Sequence, residues 1–184
     1  MQITKTPLEG LLIIEPKVWK DNRGYFYESY NAKLFADAGI DVSFVQDNQS
    51  FSQKGTLRGL HGQAMPFEQG KLVRVLQGMV ADVVVDIRKE SATYGQHFTI
   101  ELSGDNHKQL WVPPGFLHGF LTLEDQTIFT YKVSNYYDKN SEIGVMWNDA
   151  DLNIEWTKYM PESTFLLSDK DQALDNFKDF KSPF

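Results

Sequence analysis

A chain of 184 residues, 41% hydrophobic and 14% aromatic, is long enough for one domain over residues 1–184 with a sizeable core, and too apolar for a disordered segment. It has no cysteine, which excludes disulfides, thiolate metal sites and a cysteine nucleophile and fits a reducing cytoplasm. The net charge of −7 argues against a nucleic-acid polymer or an anionic membrane as partner. The apolar run Leu11–Leu12–Ile13–Ile14 falls far short of the ~20 residues of a membrane span. All four arginines, Arg23, Arg58, Arg74 and Arg88, lie in the first half. Arginine suits bidentate contact with phosphate, so a local anion site is compatible with an acidic whole.

No internal repeat, low-complexity run or Pro/Gly/Ser linker interrupts the chain. Segments rich in β-branched and aromatic residues, divided by Gly, Asn, Asp and Pro, predict strands at Leu11–Glu15, Tyr25–Tyr30, Ser43–Asn48, Leu57–Gln63, Lys71–Gln77, Val80–Ile87, Phe98–Leu102, Gln109–Val112, Phe116–Leu123, Thr127–Ser134 and Gly144–Trp147. A helix is predicted at Ala32–Ala38, with Asn31 as its N-cap and Gly39 ending it, and a second short one near Gln172–Phe177. This many short strands predicts an all-β sandwich, jelly roll or small barrel with a few short peripheral helices.

Strand alternation places Tyr131 on the face of Phe129 and Val133, His118 on that of Phe116 and Phe120, and Lys71 on that of Val73 and Val75. Such a face can line a pocket of mixed character. Taken singly, each residue reads equally well as a core tyrosine, a satisfied buried histidine or a strand-edge lysine.

Two stretches are dense in chemistry: Thr56-Leu-Arg-Gly-Leu-His61-Gly-Gln63, with Gln69-Gly-Lys71-Leu-Val-Arg74 after it, and Trp111-Val-Pro-Pro-Gly115-Phe-Leu-His118-Gly119-Phe120. A strand histidine, a glycine-bounded turn and then Pro-x-Gly-x-x-His is the pattern of the two cupin half-motifs. Many cupins bind metal through His-x-His, a glutamate and a later histidine. Gln63 replaces the second histidine here, which leaves His61, Glu68 and His118 as a minority alternative, a two-histidine, one-carboxylate site.

Together the motifs resemble the dTDP-4-dehydrorhamnose 3,5-epimerase family of the cupin superfamily. The matching stretches, in order, are Asp21-Asn-Arg-Gly-Tyr-Phe-Tyr-Glu-Ser-Tyr30, Phe44-Val-Gln-Asp-Asn48, Leu57-Arg-Gly-Leu-His61, Gln69-Gly-Lys-Leu-Val-Arg74, Val85-Asp-Ile-Arg88, Pro114-Gly-Phe-Leu-His-Gly-Phe120, Asn135-Tyr-Tyr137, Trp147-Asn-Asp149 and Ser168-Asp-Lys-Asp171. The resemblance implies a cupin-type jelly-roll β-barrel, a homodimer, a dTDP-sugar substrate, and no metal or cofactor. It further implies His61 as base, oriented by Asp171, Tyr131 as the opposing acid and Lys71 near the sugar ketone. Arg23 and Arg58 match residues that hold the diphosphate; Glu28, Gln46, Asn48, His118 and Tyr137 match other pocket positions. The segment with Arg23 and Glu28 would reach into a partner's site. An aromatic residue usually follows the base in that family; Gly62 stands here, which implies extra room in the pocket. Arg58 and His61 are three apart, so both reach one site only if the strand is irregular at Gly59.

These residue types suit epimerisation beside a ketone. Histidine backed by aspartate is a base near neutral pH, a lysine ammonium stabilises the enolate oxygen, and tyrosine can return a proton to the other ring face. Related one-carbon epimerases and ketoisomerases share this machinery, whereas a non-catalytic sugar-binding cupin has no need of the set.

Overall fold

A computed structural model describes Met1–Phe184. In chain order the elements are β1 (Gln2–Lys5), β2 (Leu12–Glu15), β3 (Trp19–Asp21), β4 (Gly24–Phe26), α1 (Ala32–Asp37), β5 (Gln46–Ser52), β6 (Leu57–Gln63), β7 (Lys71–Gln77), β8 (Met79–Asp86), β9 (His97–Ser103), β10 (Gln109–Val112), β11 (Phe116–Thr122), β12 (Thr127–Val133) and β13 (Glu142–Gly144), with short 3-10 turns among the last 46 residues. A six-stranded sheet runs β1-β2-β10-β7-β12-β5, a five-stranded sheet runs β13-β6-β11-β8-β9, and β3 and β4 form a separate hairpin. The pairings are antiparallel, and the two large sheets face each other as a cupin-type jelly roll.

Strand alternation explains why two sheets are needed. On β8, Val80 and Val84 point inward to meet Val73, Val75, Leu110, Phe116, Phe120 and Phe129 between the sheets. Ala81, Val83 and Val85 point the other way, under Val145, Trp147, Leu152, Trp156 and Met160 of the C-terminal segment. A strand covered on both faces reads as a nearly continuous apolar run, and each large side chain so buried contributes about 1.5–3 kcal/mol. The outer face of the six-stranded sheet is capped by Phe35 of α1 and by Ile40, packed on Ile14, Leu72 and Trp111.

The predicted first helix forms: Asn31 Oδ1 accepts from Leu34 N at 3.3 Å, and the chain leaves the helix through Gly39 at φ +87°. The second, near Gln172–Phe177, does not. Its backbone groups bond elsewhere: Asp175 O accepts from Met146 N at 2.9 Å and Phe177 N donates to Asp149 Oδ2 at 2.8 Å. Tertiary partners thus take groups a helix would use, leaving one 3-10 turn at Phe177–Asp179. The strands expected at Leu57–Gln63, Lys71–Gln77 and Gln109–Val112 form over those residues. The strand expected at Ser43–Asn48 lies instead at Gln46–Ser52, because that polar segment turns Gln46, Asn48, Ser50 and Ser52 inward rather than apolar residues. Of the expected Tyr25–Tyr30 strand only Tyr25 and Phe26 pair, within β4 of an exposed hairpin. The last strand falls at Glu142–Gly144, ahead of the expected Gly144–Trp147.

Candidate active site

A cavity of about 320 Å³ opens between the two sheets, walled by Arg58, His61, His118 and Phe120 from one and by Ser50, Lys71, Phe129 and Tyr131 from the other, with Ser168, Lys170 and Asp171 beside them. The irregularity expected at Gly59 is present. Along the β6–β11 ladder His118 stands opposite His61 while Phe120 stands opposite Arg58, so β6 carries one extra residue. Leu57 and Leu60 therefore both enter the core, while Arg58 and His61 both face the cavity. Gly59 sits at φ +114°, where a Cβ would come within 2.6 Å of Gly119 Cα and 2.7 Å of His118 O, so glycine alone fits.

His61 Nε2 lies 2.9 Å from Asp171 Oδ1. Nε2 meets that oxygen off the line of a well-directed hydrogen bond, so the contact is a close polar approach. Asp171 is almost fully buried and accepts from Ser168 Oγ at 2.6 Å and from Gly59 N at 3.3 Å. Burial pushes its carboxyl up, but His61, Ser168 and the Gly59 amide together outweigh that and hold it below the ordinary carboxylate value. The side chain of His61 remains 29% exposed, open to the cavity.

The facing sheet carries the complementary groups. Lys71 Nζ donates to His61 O at 3.4 Å; burial lowers its pKa to about 8, against the pull of Asp82 and Glu142. Tyr131 packs beside Phe129, their ring centroids 6.1 Å apart. Burial raises its phenol, partly countered by Arg58, so it stays protonated at neutral pH. A carboxylate-backed imidazole on one sheet thus faces a protonated phenol on the other, with an ammonium nearby. That arrangement can take a proton from one side of a bound ring and return one from the opposite side.

His118 also has a carboxylate behind it. Its Nε2 lies 3.0 and 2.9 Å from the two oxygens of Asp82, a residue with no exposed surface. Sequence reasoning missed Asp82, although an acid on the inward face of the apolar run Val80–Ile87 was a signal of it. It also missed Lys170, paired with Glu142 at 2.6 Å, and Ser168, both inside the Ser168–Asp171 motif.

Other expected residues lie outside the cavity wall. Gln46 and Asn48 occupy the inward face of β5, joined by a 2.8 Å amide hydrogen bond, with Asn48 opposite Tyr131. Tyr137 is exposed. Arg23 and Glu28 are exposed and apart from the cavity within the chain; Arg23 pairs locally with Asp21 at 2.6 Å. The hairpin that carries Arg23 also exposes Trp19, Tyr25 and Phe26. The extra pocket room expected from Gly62 is not there, because Gly62 faces away from the cavity. A Cβ on it would meet Phe116 O at 3.1 Å, Leu117 at 3.3 Å and Ile143 at 3.5 Å.

The alternative site of His61, Glu68 and His118 is not gathered, and no group of three His, Cys, Asp or Glu side chains is placed to hold a metal ion. Gln63 serves structure, its amide bonded to Phe67 O, Tyr136 O and Asp138 N. A further cavity of about 300 Å³, around Arg74, Gln109 and Thr130, contains no histidine. Its carboxylate, Asp47, is paired with Lys132 at 2.9 Å. No helix is long and apolar enough to cross a membrane.

Comparison with known proteins points the same way. The sequence profile of dTDP-4-dehydrorhamnose 3,5-epimerase matches residues 5–179. The dTDP-4-dehydrorhamnose 3,5-epimerase of Shigella flexneri is 52% identical over 172 residues, 93% of each chain. The crystal structure of the enzyme of that name from Elizabethkingia anophelis superposes with a TM-score of 0.93 at 49% identity, covering 97% of both chains. That of a dTDP-6-deoxy-D-glucose-3,5-epimerase from Legionella pneumophila, in complex with dTDP-4-keto-L-rhamnose, superposes with a TM-score of 0.92 at 46% identity, covering 98% of this chain and 94% of that one.

Proposed function

Because this chain belongs to the dTDP-4-dehydrorhamnose 3,5-epimerase family, we propose that it inverts C3 and C5 of dTDP-4-keto-6-deoxyglucose, giving dTDP-4-keto-rhamnose for dTDP-L-rhamnose synthesis. The observation that carries the reading is the pairing of His61–Asp171 on one sheet with Tyr131 and Lys71 on the other, around one cavity.

His61 removes the proton from the carbon beside the ketone, and Asp171 stabilises the imidazolium that results. Charge then develops on the ketone oxygen, where the Lys71 ammonium in the cavity wall stabilises it. Tyr131 donates a proton to the opposite face of the carbon, which inverts it. Each inversion returns the enzyme to its starting protonation through solvent, so the chemistry needs no cofactor and no metal. Arg58 grips the diphosphate, and His118, Gln46, Asn48 and Tyr137 complete the pocket.

The working unit in this reading is a homodimer in the cytoplasm. The exposed aromatic hairpin of Trp19, Tyr25 and Phe26 supports it, since a partner's surface would cover those rings and bring Arg23 and Glu28 to the partner's cavity. The test is incubation with dTDP-4-keto-6-deoxyglucose in deuterated water, followed by NMR. The expected result is dTDP-4-keto-rhamnose with deuterium at C3 and C5; substrate recovered without deuterium contradicts the reading.

A further inference from the structure

The β3–β4 hairpin and the residues after it, Trp19–Ser29, form an arm whose residues from Trp19 to Phe26 are all exposed. One hydrogen bond joins the arm to the sheets: Gln109 Nε2 donates to Ser29 O at 2.8 Å. Its two faces differ. Trp19 and Phe26, partners across the hairpin, hold their rings 6.0 Å apart in solvent. Tyr25 and Tyr27, with ring centroids 5.9 Å apart, both pack on His107, at 4.7 and 5.0 Å. His107 belongs to the loop between β9 and β10, and beneath the two tyrosines it is only 8% exposed. That loop is tied in place: Asn106 Oδ1 accepts from Ser103 N at 3.1 Å and from Lys108 N at 2.9 Å, and His107 N donates to Ser103 O at 3.2 Å. His107 itself sits at φ +54°, a left-handed conformation that side chains enter at a cost and that histidine and asparagine tolerate better than most. Burial lowers its pKa, helped by Lys20 and opposed by Asp105, so near neutral pH the ring is uncharged and packs as an aromatic. The proposed chemistry gives this histidine no task.

We propose that His107 is a positioning residue: its ring clamps the Tyr25–Tyr27 face of the arm to its own barrel and so presents Arg23 and the Trp19–Phe26 face to the site of a second copy. This rests on the reading that Arg23 serves a partner's cavity. Successive residues of an extended strand point to opposite sides, so seating Tyr25 and Tyr27 on His107 fixes Phe26 outward. Arg23 is 86% exposed and pairs only with Asp21 of the same hairpin, so the setting of the hairpin decides where its guanidinium stands. Each aromatic pair shifts an equilibrium by about 2- to 10-fold. His107 makes two such pairs, and Gln109 adds a single hydrogen bond. Without the ring the arm is docked only part of the time, and the apparent affinity for substrate falls by that fraction. The chemical step, carried by groups in the cavity wall, is left as it was.

The test reads the arm separately from the reaction. His107→Asn removes the ring but keeps a residue suited to the left-handed backbone, and His107→Phe keeps a neutral ring. Tryptic cleavage after Arg23, followed by mass spectrometry without substrate, tracks the undocked population. KM and kcat for dTDP-4-keto-6-deoxyglucose are measured on the same preparations. The expected result for His107→Asn is cleavage about 10-fold faster and KM raised about 3-fold or more at unchanged kcat, with both effects largely reversed in His107→Phe. In an Arg23→Ala background, His107→Asn should change KM less than it does in the wild type. Cleavage unchanged in His107→Asn, or kcat falling with KM in place, overturns the proposal. Faster cleavage with KM and kcat both unchanged is resolved by Arg23→Ala alone. A raised KM there overturns the positioning role of His107, whereas an unmoved KM overturns instead the reading that Arg23 serves a site. If His107→Asn does not fold, Tyr25→Ser/Tyr27→Ser removes the clamp from the other side and is read in the same way.

Discussion

Replacing Lys71 with methionine should weaken catalysis and strengthen the fold together. The side chain is held in the cavity wall with its ammonium lacking a carboxylate contact, and its pKa is lowered from 10.5 to about 8 by burial. At ~1.4 kcal/mol per pH unit, that gap corresponds to a penalty of about 3 kcal/mol for the buried charge, an upper bound because the residue keeps some exposed surface. Between pH 8 and 10.5 the unfolded chain binds the Lys71 proton and the folded one does not, so stability rises with pH through this window. Below it both states are protonated and the penalty is present in full. Methionine has similar length and no charge, so Lys71→Met should be more stable than the wild type at pH 7 by up to about 3 kcal/mol, with the difference fading towards pH 10.5. Turnover should fall by about 10²-fold or more, because the charge acts on an oxygen that becomes negative only along the reaction. Urea unfolding followed by tryptophan fluorescence at pH 7 and pH 10, with kcat measured alongside, checks both halves. A variant less stable at pH 7, or a stability difference independent of pH, would refute the reasoning.

The other replacements act on different parts of the site. Asp171→Asn should lower kcat by about 10²–10⁴-fold, since the imidazole loses the carboxylate that orients it and balances its charge. The ordinary carboxyl value is 3.8 and the folded one lies lower, so Asp171 contributes stability above about pH 4 that is lost on further acidification. Acid unfolding of Asp171→Asn should lack that component. Arg58→Ala should raise KM by about 10–100-fold with a smaller change in kcat, as expected for loss of a charge-assisted contact to phosphate; the reverse pattern in steady-state kinetics would move Arg58 into the chemical step. Mixing Arg23→Ala chains with His61→Ala chains should restore activity at low substrate, because one site of the mixed dimer has both residues. No recovery after subunit exchange would assign Arg23 to its own chain.

The sheet architecture and three cavity residues were legible because both depend on strand period. Lys71, His118 and Tyr131 sit in segments whose apolar neighbours mark the inward face, and that face is where the structure puts them; His61 was marked by the cupin half-motif and the family resemblance instead. The bulge at Gly59 followed from a three-residue spacing that regular alternation cannot satisfy. Asp171 was different. No strand period runs through it and only the family motif singled it out, because its reach to His61 depends on the turn at Ser168 and on loop packing more than 100 residues from β6 in sequence. Asp82 was hidden by its surroundings: an acid between valines reads as part of a core strand until its partner on β11 is known. The second helix failed for a related reason, as Asp149 captures the amide of Phe177 from a distant loop.

The central claim is that proton removal and proton return occur from opposite sheets, His61 on one and Tyr131 on the other. Tyr131→Phe tests it most directly. The ring still packs on Phe129 but cannot donate a proton, while His61 and Asp171 are untouched. An NMR time course in deuterated water with dTDP-4-keto-6-deoxyglucose compares loss of the C3 and C5 proton signals with appearance of product. The account predicts that exchange survives, because His61 can return deuterium to the face from which it took the proton, while inversion falls, most plainly at C5. Exchange and inversion lost in parallel would contradict the two-sided mechanism and leave Tyr131 as a structural hydroxyl.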